Sequence, residues 1–441
     1  MNEMMTWIQK KRILEITLLV LFSVYVWFFF YLSRDTYDYI NLANSIKEGR
    51  LYYTRNGYST VWPLGYPVII ALVSLIGLPL KVTLYIINLA VFIVSYKLLA
   101  KIIDENGDND SAAILILCIF SGIYITGISE PLFIGVIITI LYIVKNFDYS
   151  FRHYSVLAFL FWFLIETKHA GIFLLPCSLL YLNGLKLNKR TFYLLLTISL
   201  VAITYIARWY FLGTITGSNR SENKDSLFTV LEGSFTISHY HEFKRKYHVY
   251  FFLLLFFLMF ALGKYIKTYK KKSSKYILFI FGSAVFYYCF IVALRYSTFF
   301  SGLEPRFMAP YILFSMIFVL SIIHSAKNSF IILSVILFGL TVYLNLRDKY
   351  DLIYKNDAFT MASFKGKNKI NHLILDSRSS LMIANTMFDY KDISIDDRLR
   401  SIKIINNNKD SVLYRKGAVF LIKRKDTVKI VDLTLNNNIK K

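Results

Sequence analysis

The chain has 441 residues, 56% hydrophobic and 17% aromatic, too apolar for a water-soluble fold and long enough for about ten crossings of a bilayer. Its formal net charge of +23 would suggest nucleic acid in a soluble protein. Here much of the excess lies in short loops between apolar runs, where the positive-inside rule accounts for it, and no nucleic-acid partner is expected.

Taken in order, the basic opening MNEMMTWIQKKR precedes an apolar run, 13–32, that ends without a small-residue cleavage site. It reads as a retained anchor rather than a signal peptide. The polar stretch 33–67 follows, with Asp35 and Asp38 only a few residues beyond the run. A carboxylate at the edge of the hydrocarbon is costly to place and is a functional candidate by default; the alternative is that Asp35 only caps the helix starting near Thr36.

Runs long enough for helices fall at 13–32, 82–100, 111–128, 131–145, 154–167, 169–183, 192–212, 248–263, 276–295, 309–325 and 329–346, about 11 transmembrane helices against the roughly 20 residues a crossing needs. Three are short, 131–145, 154–167 and 169–183, and predict tilt, local thinning or breaks. The stretch 64–80 is interrupted by Pro63, Gly65 and Pro67 at its start and Gly77 and Pro79 near its end. We read it as a helix on the outer interface, with Trp62 and Tyr66 as amphipathic anchors. Loop charge supports this: the six lysines of 264–275 then lie inside, along with Lys10, Lys11, Arg12, Lys145 and Lys327.

The N-terminus is then cytoplasmic and the tail extracytoplasmic, and the unusual polar groups gather on the outer side: Asp35, Glu130, the segment Glu166 to His169, Arg295, Glu304 and Arg306. The three cysteines, Cys118, Cys177 and Cys289, lie inside apolar runs and indicate neither a disulfide framework nor a thiolate metal site. From about residue 347 the composition turns polar, with strand-like runs at 372–375, 418–422 and 428–435 and a helical stretch at 379–388. This predicts a small soluble α/β domain over 347–441, after a membrane domain over 1–346 whose first outer loop is 33–81. There is no internal repeat, Gly-rich phosphate loop or zinc-hydrolase spacing.

Five elements, in order and on one side, carry a family likeness. Asp35, Tyr39, Ala43 and Gly49 follow a D-x-x-x-Y-x-x-x-A pattern ending in Gly; Trp62-Pro63-Leu64-Gly65-Tyr66-Pro67 is close to Pro-Pro-Gly-Tyr-Pro, with Leu64 at the second proline. Ser129-Glu130-Pro131 gives an acid before proline, with Glu where Asp is common. Thr167-Lys168-His169-Ala170-Gly171 and Glu304-Pro305-Arg306-Phe307 complete the set. Together they resemble the GT-C glycosyltransferases that take sugar from a polyprenyl-phosphate carrier, such as aminoarabinose transferases and protein O-mannosyltransferases.

The resemblance implies an all-α polytopic GT-C-like membrane fold with outer interfacial helices, in the bacterial inner membrane. It also implies an inverting transfer from a polyprenyl-phosphate-linked sugar to a lipid, glycan or protein acceptor on the outer face. An acceptor hydroxyl needs a carboxylate to take its proton, and Asp35 is the expected base, supported by Glu130. The departing phosphate needs a cation, for which Lys168, Arg306 and Arg295 are available. Tyr39, Trp62, Tyr66, His169 and Glu304 are the expected substrate contacts. No nucleotide-binding domain is required, no cofactor is assigned, and assistance by a divalent metal is left open. The bland alternatives are that Lys168 and Arg306 reach lipid headgroups, that Glu130 only answers the dipole of the helix beginning at Pro131, and that His169 is a packed interfacial histidine. A transporter or flippase, or a polymerase or ligase of a lipid-linked glycan, is the competing function; a transporter predicts polar groups near the midplane and repeated halves.

Overall fold

A computed structural model of the chain describes residues 2–30, 34–51, 62–103, 110–147, 150–181, 187–212, 226–227, 230, 260, 274–297, 305–322 and 327–347, and five strands between 370 and 432. The long helices are α1 (Asn2–Phe29), α4 (Leu80–Ile103), α7 (Glu130–Lys145), α8 (Phe151–Thr167), α10 (Leu187–Leu212), α11 (Ser274–Ser297), α12 (Pro305–Ile322) and α13 (Lys327–Arg347). Shorter ones are α2 (Arg34–Lys47), α3 (Gly65–Ser74), α5 (Asp110–Ile119), α6 (Ser121–Tyr124) and α9 (Leu174–Tyr181), the last preceded by a 3-10 turn, His169–Phe173. Ten of the eleven expected runs coincide with helices in this set; the other, 248–263, lies outside the described residues apart from position 260.

Among the described residues three helices are long and apolar enough to cross a membrane by length and composition alone: Leu80–Ile103, Thr191–Phe211 and Tyr276–Ser297. The outward surface agrees with a lipid environment. On α1, Ile13, Ile16, Val20, Val24 and Phe28 recur at steps of three and four and are exposed, while Phe22, Tyr25, Val26 and Phe29 are buried. The helix is thus apolar all round, as a helix solvated by lipid on one side must be. The exposed Leu195, Ile198, Ile203, Ile206 and Trp209 give α10 the same character.

The stretch 64–80 is not one continuous helix. Helix α3 has ten residues, about 15 Å at 1.5 Å per residue, half the roughly 30 Å hydrocarbon thickness. Its end is set by Gly77 in the left-handed region at φ 79°, which suits a residue without Cβ. The run 111–128 is broken too, at Phe120, into α5 and α6. Buried Asn88 of α4 donates to both Tyr124 O and Thr126 O at 2.8 Å, satisfying carbonyls at and just beyond the end of α6.

Beyond residue 347 the described backbone forms one five-stranded mixed sheet in the order β2-β1-β5-β4-β3, where β1 is Ile370–Leu375, β2 Tyr390–Ile395, β3 Ser411–Lys416, β4 Val419–Arg424 and β5 Thr427–Asp432. Strand β1 pairs in parallel with β2 and β5, and β4 is antiparallel to β3 and β5. The three strand-like runs match β1, β4 and β5 to within a few residues. β2 and β3 add two strands that were not anticipated, and the helix expected at 379–388 lies outside the described residues.

Candidate active site at one end of the helical bundle

Antiparallel packing of α7 and α8 brings the start of one to the end of the other. Glu130 opens α7, with Pro131 in its first turn, where the missing N–H costs nothing. Helix α8 ends at Thr167, and Lys168 turns into extended backbone at φ −159°, ψ 125°. The ammonium of Lys168 thereby reaches Glu130 Oε1 at 2.9 Å, as a salt bridge with side-chain exposures of 18% and 6%. The Phe307 ring, in the first turn of α12, lies 4.9 Å from the same ammonium, and the Tyr287 hydroxyl of α11 donates to Phe307 O at 2.5 Å, fixing that turn.

Helix α2 packs on the turn that precedes α7. Gly127 explains how closely: a Cβ there would stand 2.6 Å from Thr36 Cγ2. Asp35 is half-buried in the first turn of α2, where a carboxylate also suits the dipole. One turn further, Tyr39 is buried and shares a hydrogen bond with Ser129 Oγ at 3.1 Å. Asp38 accepts from the Trp62 indole N–H at 2.9 Å. Burial pushes the Asp38 carboxyl up to about 6, against the pull of that hydrogen bond and with the help of the Asp35 charge.

The Trp62 to Pro67 element packs its rings inward. Tyr66 is fully buried and meets Tyr39 edge to face at 5.2 Å, while Trp62 lies 5.2 Å from Tyr39 on another side. Tyr66, expected as an interfacial anchor, is therefore an interior residue: its ring gains more from Tyr39 than from headgroups. Its hydroxyl has no hydrogen-bond partner among the described residues. Burial first, and then the Glu130 charge, push the phenols of Tyr39 and Tyr66 above their ordinary range, so both are neutral. Gly65 is required by contact, since a Cβ would come within 2.7 Å of Glu166 O. Glu166 in turn accepts from Leu64 N at 3.4 Å.

The sequence reading passed over Arg208. It lies in α10 inside an apolar run, is 1% exposed, and points away from the lipid-facing Ile203, Ile206 and Trp209. Its guanidinium donates to His169 Nε2 and to Trp62 O, each at 2.7 Å, and attracts Glu166 electrostatically. His169 thus offers Nε2 as an acceptor, its neutral form, with its ring against Tyr205. The available signal was an ionisable side chain within a membrane run.

The structure thus brings together Asp35, Tyr39, Trp62, Tyr66, Glu130, Lys168 and His169 from distant parts of the sequence. Arg295 is buried near the end of α11. Glu304 and the Arg306 side chain lie outside the described residues. Among the described residues no three His, Cys, Asp or Glu side chains converge as a metal site.

No family model matches the chain, and no curated protein matches it. Among solved structures it is similar to ArnT from Cupriavidus metallidurans bound to undecaprenyl phosphate, at 11% identity over 91% of this chain and 96% of that one, with a TM-score of 0.58. The chain shares the overall fold of that protein. At this identity the likeness is one of architecture and reaches almost the whole length of both chains.

Proposed function

We propose that this protein is an inverting membrane glycosyltransferase that moves a sugar from a polyprenyl-phosphate carrier to a lipid, glycan or protein acceptor on the outer face of the bacterial inner membrane. The observation that carries the reading is the Lys168–Glu130 pair, a half-buried cation beside a buried carboxylate, in a fold whose solved counterpart holds undecaprenyl phosphate.

In the proposed reaction the acceptor oxygen attacks the anomeric carbon while its proton passes to the Asp35 carboxylate. The bond from that carbon to the phosphate oxygen breaks, and the electron pair leaves with the polyprenyl phosphate. Proton removal by a positioned carboxylate contributes about 10²–10⁴-fold. The charge growing on the phosphate is met by Lys168, whose ammonium has three N–H donors and gives one to Glu130. Arg306 and Arg295 are the further candidate cations. Glu130 holds the Lys168 ammonium in place, and the buried Tyr66 hydroxyl is a further donor within the same cluster. Tyr39, Trp62, His169 and Glu304 remain proposed substrate contacts; Tyr39 and His169 act through the shape of the site, since their polar atoms already serve Ser129 and Arg208.

The test uses the full chain in lipid nanodiscs. Undecaprenyl phosphate should bind saturably, and a panel of labelled polyprenyl-phosphate sugars should include one whose label moves to bacterial membrane lipid or glycan. A protein that binds no polyprenyl phosphate and transfers from none of them contradicts the proposal.

A further inference from the structure

Trp62 is held at both ends. Its carbonyl accepts from Arg208 on α10, its indole N–H donates to Asp38 on α2, and its ring lies on Tyr39. Arg208 thereby joins α10, the turn carrying His169 and the start of the Trp62 to Pro67 element. A fully buried guanidinium costs several kcal/mol of desolvation unless its partners are fixed, and its partners include the His169 ring nitrogen and the Trp62 carbonyl, with the Glu166 carboxylate nearby. An apolar residue of similar volume would pack against Tyr205 and Trp62 without that cost, so bulk packing gives no reason for an arginine here.

We propose that Arg208 is a positioning residue: it fastens the Trp62 carbonyl so that the indole N–H stays on Asp38 and the aromatic wall of the site keeps its place. This rests on reading this end of the bundle as the active site. The planar fork matters, because a guanidinium presents several N–H donors in fixed directions, whereas an ammonium is a single point charge.

The experiment is indole N–H exchange by NMR on the full-length protein in nanodiscs, with the Trp62 resonance assigned by its loss in Trp62→Phe. In Arg208→Met the Trp62 indole should exchange at least about tenfold faster, the loss expected for one charge-assisted hydrogen bond, while Trp7, Trp27 and Trp162 keep their wild-type rates. Arg208→Lys should fold and show part of the same local acceleration. It also serves in place of Arg208→Met if that variant fails to insert. Wild-type exchange at Trp62, or equal acceleration at every indole in both variants, overturns the proposal; the second result would make Arg208 a general stabiliser of the bundle. The signal needs no substrate. A wild-type protein that fails to bind undecaprenyl phosphate therefore removes the proposed function and leaves the Arg208–Trp62 link tested on its own.

Discussion

Lys168 and Glu130 are 38 residues apart in sequence and 2.9 Å apart in space, one at the end of α8 and the other at the start of α7. Their burial makes them dependent on each other. Removing either partner leaves a charge stranded, which costs about 3–5 kcal/mol, while replacing both with apolar or neutral groups costs much less. Lys168→Met and Glu130→Gln should each lower the unfolding midpoint, and the double variant should lose clearly less than the sum. Strictly additive losses in a double-mutant cycle would show that the pair is not coupled.

Gly65 is a second point of close approach, here between backbones. A Cβ at 2.7 Å from Glu166 O has only main chain to push against, so Gly65→Ala should force α3 away from α8 at a cost of about 1–3 kcal/mol. Gly122 has nothing within 4 Å of a built Cβ and lies in a helix, so Gly122→Ala should be neutral or slightly stabilising. Thermal unfolding of the two variants side by side decides the matter; equal midpoints would contradict the contact.

Asp38 gives a pH signature. Its carboxyl is raised from 3.8 to about 6, chiefly by burial, so the folded protein holds the proton more tightly than the unfolded chain. Stability from this group is then greatest below about pH 4, falls as pH rises toward about 6, and is level above that. The full shift is worth about 3 kcal/mol, and partial exposure lowers this to about 1–2 kcal/mol. Asp38→Asn keeps an oxygen for the Trp62 indole and removes the titration, so its stability between pH 4 and 6 should be flatter than wild type. Unchanged slopes in denaturant titrations would show that another group is responsible.

Much of this site was legible in local chemistry. Pro63, Gly65, Pro67, Gly77 and Pro79 announced that 64–80 does not continue as one helix, and Glu130-Pro131 announced a helix start. Pairings were not legible, because nothing local in Lys168 points to a residue 38 positions earlier. Asp38 lies outside the pattern that begins at Asp35, and only the fold, by laying Trp62 beside it, gives it a partner. Tyr66 looked amphipathic because a tyrosine beside prolines at a membrane edge commonly is; its burial comes from Tyr39, four residues after Asp35 on another element. Arg208 was hidden by its own apolar run.

The ten-residue α3 has a topological consequence. If it remains on the interface, eleven crossings precede the tail and a reporter fused after Asp348 reports the outer side, with the N-terminus inside. A cytoplasmic signal from that fusion would mean that 64–80 crosses, and the candidate site would then face the cytoplasm.

The central claim is that Asp35 takes the acceptor proton at this site. The most direct measurement compares single-turnover sugar transfer and undecaprenyl-phosphate binding in wild type, Asp35→Asn and Asp38→Asn. Asn at position 35 preserves the side-chain shape and an acceptor for the start of α2, so Asp35→Asn should insert and bind undecaprenyl phosphate as wild type does, and transfer about 10²–10⁴-fold more slowly. Asp38→Asn should retain most of the rate. Wild-type transfer by Asp35→Asn, with Asp38→Asn inactive, would contradict the account and give the proton-accepting role to Asp38.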